Sequence, residues 1–137
     1  MALLSNAFSK NKFTEIFGDY SDFLSYVPTS LEKGMDFLLM YSNPVNKLEI
    51  VSYDIIELKR FEFDVKALSQ LIDYESWFLQ KRVSGDSNMV RSTAIGKSFS
   101  EEVIGYVSEC SKIEKKPIKL LVYSYENGKF SLTPVNE

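Results

Sequence analysis

Between residues 118 and 133 two extended runs close on a two-residue turn, and no other feature constrains the fold as tightly. Ile118–Tyr125 and Lys129–Thr133 flank Glu126-Asn127-Gly128. Asn-Gly readily takes the two left-handed backbone positions that a tight antiparallel hairpin demands. The chain therefore ends in a β-hairpin, and the fold must supply a sheet to hold it.

Further strand candidates lie upstream. Asp36–Tyr41 contains the apolar run Phe37-Leu38-Leu39-Met40-Tyr41 and leads into the turn-forming Ser42-Asn43-Pro44-Val45-Asn46. Lys47–Tyr53 alternates Leu48 and Ile50 against Lys47 and Glu49. Ile55–Phe63 stays extended, but its apolar parity passes from Ile56 and Leu58 to Phe61 and Phe63. That change places a bulge or bend near Lys59-Arg60. Met89–Ile95 adds a short strand.

Helical spacing fills the remainder. Phe13, Ile16 and Phe17 fall on one face of a short helix that Gly18 can end. A second pattern begins near Asp19 or Ser21, carries Phe23, Leu24 and Val27, and stops before Pro28. Asp64 is placed to N-cap a helix running to about Arg82, with Val65, Leu68, Leu71, Ile72 and Leu79 on its apolar face. Ser84-Gly85-Asp86-Ser87-Asn88 reads as a loop. Ser98 with Glu101 matches a capping box for a helix that carries Val103, Ile104, Val107 and Cys110 and ends before Pro117.

Strand runs joined by tight turns, with helices between them, imply an α+β fold. We expect a single α+β domain over residues 1–137, with a largely antiparallel β-sheet of about five or six strands, helices packed on one side and a C-terminal β-hairpin. No repeat, low-complexity tract or long linker divides the chain. A length of 137 residues with 45% hydrophobic content is enough for one core. Cys110 is the lone cysteine, the first residues lack the basic start of a signal peptide, and no apolar run approaches the roughly 20 residues of a membrane helix. The expected location is cytoplasmic.

Absent residue types exclude much chemistry. There is no histidine, so Ser-His-Asp and Cys-His arrangements and histidine-based zinc sites are impossible. One cysteine rules out thiolate clusters. Gly96-Lys97-Ser98 resembles the tail of a phosphate-binding loop, but Arg91 stands where the pattern needs its first glycine. For the carboxylate pairs Asp73/Glu75, Asp19/Asp22 and Asp54/Glu57 a structural role is favoured over a catalytic dyad, which needs two carboxyls held across a cleft that spacing alone does not show. Cys110 lies on an apolar helical stripe, the setting of an inert buried thiol. No catalytic residue, metal ligand or cofactor is assigned.

Charge is uneven: residues 1–80 hold seven Lys/Arg against twelve Asp/Glu, and residues 81–137 hold nine against seven. An acidic, aromatic-bearing half fits a protein partner better than a polyanion. The expectation is a non-enzymatic protein-binding module, such as an acidic inhibitor or immunity-type protein that blocks a basic site on its partner. Its contacts would be Tyr53, Asp54, Glu57, Tyr74, Glu75 and Trp77. The alternative is a small-molecule-binding domain or histidine-free enzyme with a pocket between the sheet and the long helix. Nucleic-acid binding through Lys81, Arg82, Arg91 and Lys97 ranks last, because that basic patch is thin, and no membrane partner is expected.

Overall fold

Ile55-Ile56, Ala94-Ile95 and Leu120-Leu121 are consecutive buried pairs. Successive side chains of a strand point to opposite faces, so the sheet that carries them must be covered on both sides. The computed structural model describes residues 2–29, 34–81, 86–113 and 118–135. Arg82, the Ser84-Gly85 part of the expected loop and Pro117 lie outside the described residues.

The elements run α1 (Ala2–Ser9), α2 (Thr14–Phe17), β1 (Asp22–Pro28), β2 (Gly34–Ser42), β3 (Ile50–Leu58), β4 (Glu62–Phe63) and α3 (Val65–Lys81). After a 3₁₀ turn at Ser87–Met89 come β5 (Val90–Gly96), β6 (Ser98–Phe99), α4 (Glu101–Ile113), β7 (Lys119–Glu126) and β8 (Lys129–Pro134). Six strands form one sheet in the order β1-β2-β3-β5-β7-β8. Its outer joints β1/β2, β2/β3 and β7/β8 are antiparallel. The central joints β3/β5 and β5/β7 are parallel, because α3 and α4 carry the chain back across the sheet before each new strand. β4 and β6 form a separate two-stranded parallel pair. The architecture is α+β with an antiparallel-dominated sheet and the expected hairpin, whose Asn127 and Gly128 both have positive φ.

One face packs Leu38, Ile55, Ala94 and Leu120 against Ala67, Leu68, Leu71, Tyr74 and Phe78 of α3 and Val103 and Val107 of α4. The other packs Phe37, Leu39, Ile56, Ile95 and Leu121 against Leu4 and Phe8 of α1 and Phe17 of α2. Phe8 anchors this second layer, edge-on to Phe17 at 5.6 Å and to Phe37 at 5.5 Å. Among the described residues no helix is long and apolar enough to cross a membrane.

Three local expectations change. Phe23, Leu24 and Val27 lie on a strand, not a helix: Phe23 and Val27 are half-buried while Ser25 and Tyr26 are exposed. Pairing with the edge of β2, together with the extended preference of a residue before proline, overrides the helical spacing. Ser98 belongs to β6, and the cap of α4 is Ser100, whose Oγ accepts from the Val103 amide at 3.3 Å. The third strand starts at Ile50, not Lys47, leaving Leu48 exposed in the turn. Asp64 does cap α3, its Oδ1 accepting from the Ala67 amide at 3.0 Å.

Gly34 is forced by close approach. A Cβ there would lie 2.6 Å from two Tyr26 ring atoms and 2.8 Å from the Val27 carbonyl oxygen. We expect Gly34→Ala to cost roughly 2 kcal/mol, the scale of overpacking a filled site, measured as a lowered denaturant midpoint. An unchanged midpoint would show that β1 moves aside freely.

Candidate active site

Strand alternation builds the site. Phe37 of β2 pairs with Ile56 of β3, so one step further along Asp36 stands beside Glu57. Both share the parity of Leu38 and Ile55, the face under α3. Two residues beyond Glu57, Lys59 returns to the same side. Gln70 and Tyr74, four apart on α3, look down on this corner.

The contacts are specific. Lys59 Nζ lies 3.4 Å from Glu57 Oε2 and donates to Gln70 Oε1 at 3.2 Å. Asp36 Oδ2 accepts from the Leu58 amide at 2.8 Å, and its carboxyl group is the neighbour of Glu57 across the β2/β3 joint. The segment after β3 is pinned on three sides. The Lys59 amide donates to the Ile95 carbonyl at 2.9 Å, the Lys97 amide to the Phe61 carbonyl at 2.9 Å, and the Tyr123 hydroxyl to the Arg60 carbonyl. Lys59 is therefore held by backbone as well as by its side chain.

Electrostatics make Glu57 the unusual member. Its side chain is 4% exposed, and its Oε1 is buried without a donor. Burial first, and then the neighbouring Asp36 carboxylate, push its pKa up to about 8, with Lys59 pulling the other way. Tyr74, also buried, is pushed up to about 12 by burial and then by Glu57 and Asp36, so it remains a neutral phenol. Among the described residues no three acidic or sulfur ligands gather in one place. The site is a carboxylate pair with a lysine.

A second buried polar group sits on the opposite face. Asp54 accepts from Thr93 Oγ1 at 2.9 Å, and burial raises its pKa against the opposing pull of that hydrogen bond and of Lys119 and Arg91. Lys119 Nζ donates to the Ile16 carbonyl at 2.8 Å, and the Tyr41 hydroxyl donates to the Phe17 carbonyl at 2.6 Å. These bonds tie α2 to the sheet.

No family model matches the chain, and no curated protein matches it either. Among solved structures it resembles a repair endonuclease from Pyrococcus abyssi at a TM-score of 0.56 and 17% identity, over 79% of this chain and 42% of that one. EndoMS, solved in a dsDNA complex and in apo form, aligns at TM-scores of 0.44 and 0.43 and 15% identity, over 76% and 75% of this chain and 40% and 42% of theirs. The likeness is one of fold. This chain spans about two-fifths of the length of each of those chains.

That fold and this corner overturn the expectation of an acidic inhibitor or immunity-type protein that blocks a basic partner and sets nucleic acid aside. The fold is shared with a repair endonuclease, and Glu57 faces inward onto Asp36 and Lys59 instead of being displayed. Of the six residues singled out as partner contacts, the structure brings together Glu57 and Tyr74. Asp54 is buried on the other face. Tyr53 packs edge-on to Phe78 at 4.8 Å, Glu75 accepts from Ser92 Oγ, and Trp77 lies half-buried against the core. Asp36, Lys59 and Gln70 were missed. The available signal was Glu57 and Lys59 at strand spacing beside an acid embedded in an apolar strand. The basic patch also fails to form: Arg91 and Lys97 stand near opposite ends of β5, about 20 Å apart at roughly 3.3 Å per residue.

Proposed function

We propose that the chain is a divalent-cation-dependent phosphodiesterase that cuts DNA. The observation that carries this reading is the convergence of Asp36, Glu57 and Lys59 in one corner, with Glu57 Oε1 buried and unpartnered. Two adjacent carboxyl groups, one with a buried oxygen that no protein donor reaches, suit a hard cation, which is commonly bound through one or two carboxylates and substrate phosphate oxygens. Asp36 and Glu57 would hold it, and it would supply Lewis-acid polarisation of the phosphoryl group. The shared fold of a repair endonuclease supports DNA as the substrate. The lone Cys110 suits the reducing cytoplasm in which we place the chain.

The chain's own residues have separable tasks. Asp36, fixed by the Leu58 amide, sets the position of the carboxylate pair. Lys59, oriented by Gln70, presents a point charge to phosphate oxygens and stabilises the negative charge that grows in the transition state. Tyr74, kept neutral, closes the inner wall and keeps water from the buried side of Glu57.

Glu57 is mostly protonated at neutral pH, so cation binding must displace its proton. We expect apparent affinity for Mn²⁺ or Mg²⁺, measured by calorimetry, to rise about tenfold per pH unit below about 8 and to level off above it. The deciding experiment follows cleavage of labelled DNA oligonucleotides. Cutting should require the divalent cation, stop with EDTA and disappear in Asp36→Asn. A purified chain that neither binds these cations at millimolar concentration nor cuts DNA would overturn the reading.

A further inference from the structure

A cavity of about 420 Å³ opens on the α1 side of the sheet where β2 starts and β3 ends, and the half-buried Asp36 is part of its wall. Leu3 and Leu4 of α1, Leu58 at the end of β3, Tyr123 in β7 and Phe130 in β8 give it apolar walls, and Arg60 supplies the one cation among its described lining residues. That volume lies in the range of roughly 300–1,000 Å³ typical of small-molecule sites, which pair apolar walls with a few polar groups. The wall is built. Tyr123 and Phe130 stack at 6.0 Å with planes 25° apart, and the Tyr123 hydroxyl holds the Arg60 carbonyl. The Arg60 guanidinium in turn lies 5.4 Å from the centre of the exposed Phe61 ring.

We propose that this cavity is a nucleobase subsite, which takes the base of the nucleotide adjoining the phosphodiester held at Asp36, Glu57 and Lys59. The inference rests on the phosphodiesterase reading and names the part of the substrate that lies beyond the phosphate. Adjacency decides the occupant. Asp36 belongs to both the cavity and the reacting corner, so a group that fills the cavity lies next to the one engaged there. A base has apolar faces for Leu3, Leu58 and Phe130, and its own phosphate lies within the reach of Arg60. Stacking on aromatic rings tolerates any base, so the subsite selects for the presence of a base and not for its identity.

Leu3 is 44% exposed on α1 and is not one of the three reacting residues, which makes it the place to fill the cavity. Leu3→Trp should raise KM for DNA about tenfold and leave kcat and cation binding unchanged. An oligonucleotide with an abasic residue next to the cut should show that higher KM with the parent, and no further rise with Leu3→Trp. Leu3→Ala, which keeps the cavity open and removes one apolar contact, should raise KM for base-bearing DNA by less than threefold, and a rise as large as that of Leu3→Trp would overturn filling of the cavity as the cause. Calorimetry with a deoxynucleoside 5′-monophosphate against inorganic phosphate tests the subsite without turnover. The parent should bind the nucleotide at least tenfold more tightly, and Leu3→Trp should erase the difference. Equal binding of nucleotide and phosphate by the parent, or equal KM values for base-bearing and abasic DNA, would overturn the subsite while the phosphodiesterase reading stood. Tight nucleotide binding without cation-dependent cutting would leave a base pocket and remove the phosphodiesterase.

Discussion

Glu57→Gln is expected to give a protein that no longer cuts DNA and melts higher than its parent at pH 8. The two effects share a cause. Burial and Asp36 raise the Glu57 pKa from the ordinary carboxylate range to about 8 in the folded chain, so the folded state holds a proton that the unfolded state releases near pH 4.5. A raised pKa means that stability is highest below the unfolded value and falls as pH rises towards the folded one, by up to about 1.4 kcal/mol per pH unit. Glutamine cannot ionise, and its amide can donate to Asp36 where a second carboxylate repels it. At pH 5 the two proteins should therefore melt together. At pH 8 the variant should be ahead by about 3–4 kcal/mol, roughly 10 °C for a domain of this size. Saturating Mn²⁺ should raise the melting point of the parent and leave the variant unmoved. Thermal scans across pH with and without cation check every part of this, and a variant that melts below its parent at pH 8 would falsify the assignment of Glu57 as a strained, cation-seeking carboxylate.

How far the sequence could be read follows from what each signal depends on. The hairpin at Asn127-Gly128 and the cap at Asp64 are local chemistry, and both stand in the fold. The central strands are harder, because burial on both faces erases the alternation that marks a half-exposed strand. Ile55-Ile56 and Leu120-Leu121 look alike on either side of the sheet. Which face a helix covers depends on topology, and α1, whose Leu4 and Phe8 seal the second face, has no local mark beyond a short apolar patch.

The site was less legible for a related reason. Glu57 was noticed, but its partner was sought three residues away at Asp54, which the strand turns to the opposite face. Its working neighbours are Asp36, far back along the chain and one strand over, and Lys59, at the spacing that alternation brings to the same side. Acidic bias in residues 1–80 suggested a surface for a basic protein. Yet the acids that matter there are drawn inward, where a buried Glu57 against a half-buried Asp36 is costly to hold without a cation. Composition counts charges and cannot distinguish a displayed carboxylate from one folded against another.

Lys59→Met should lower turnover by roughly 10²–10³, the loss seen when one preorganised donor to a developing negative charge is removed, while the fold is left close to intact. The stem of methionine keeps the packing of the lysine chain, and the lost contact to Glu57 is part-exposed at 37% on the lysine side. An ion pair of that kind contributes about 0–1 kcal/mol. Lys59 also opposes the upward shift of Glu57, so its removal should move the pH at which cation affinity levels off to a higher value. Turnover separates a lysine that meets substrate from one that merely braces the turn, since a brace would alter stability and leave turnover within a few-fold, while the moved pH profile reports its contact with Glu57 in either case. Lys59→Arg should recover little, because a planar fork cannot replace a compact ammonium between Glu57 and Gln70. If Lys59→Met cuts DNA within threefold of the parent rate, the charge that stabilises the reacting phosphate must come from elsewhere, and Arg60 and Lys97 beside the same turn become the residues to replace.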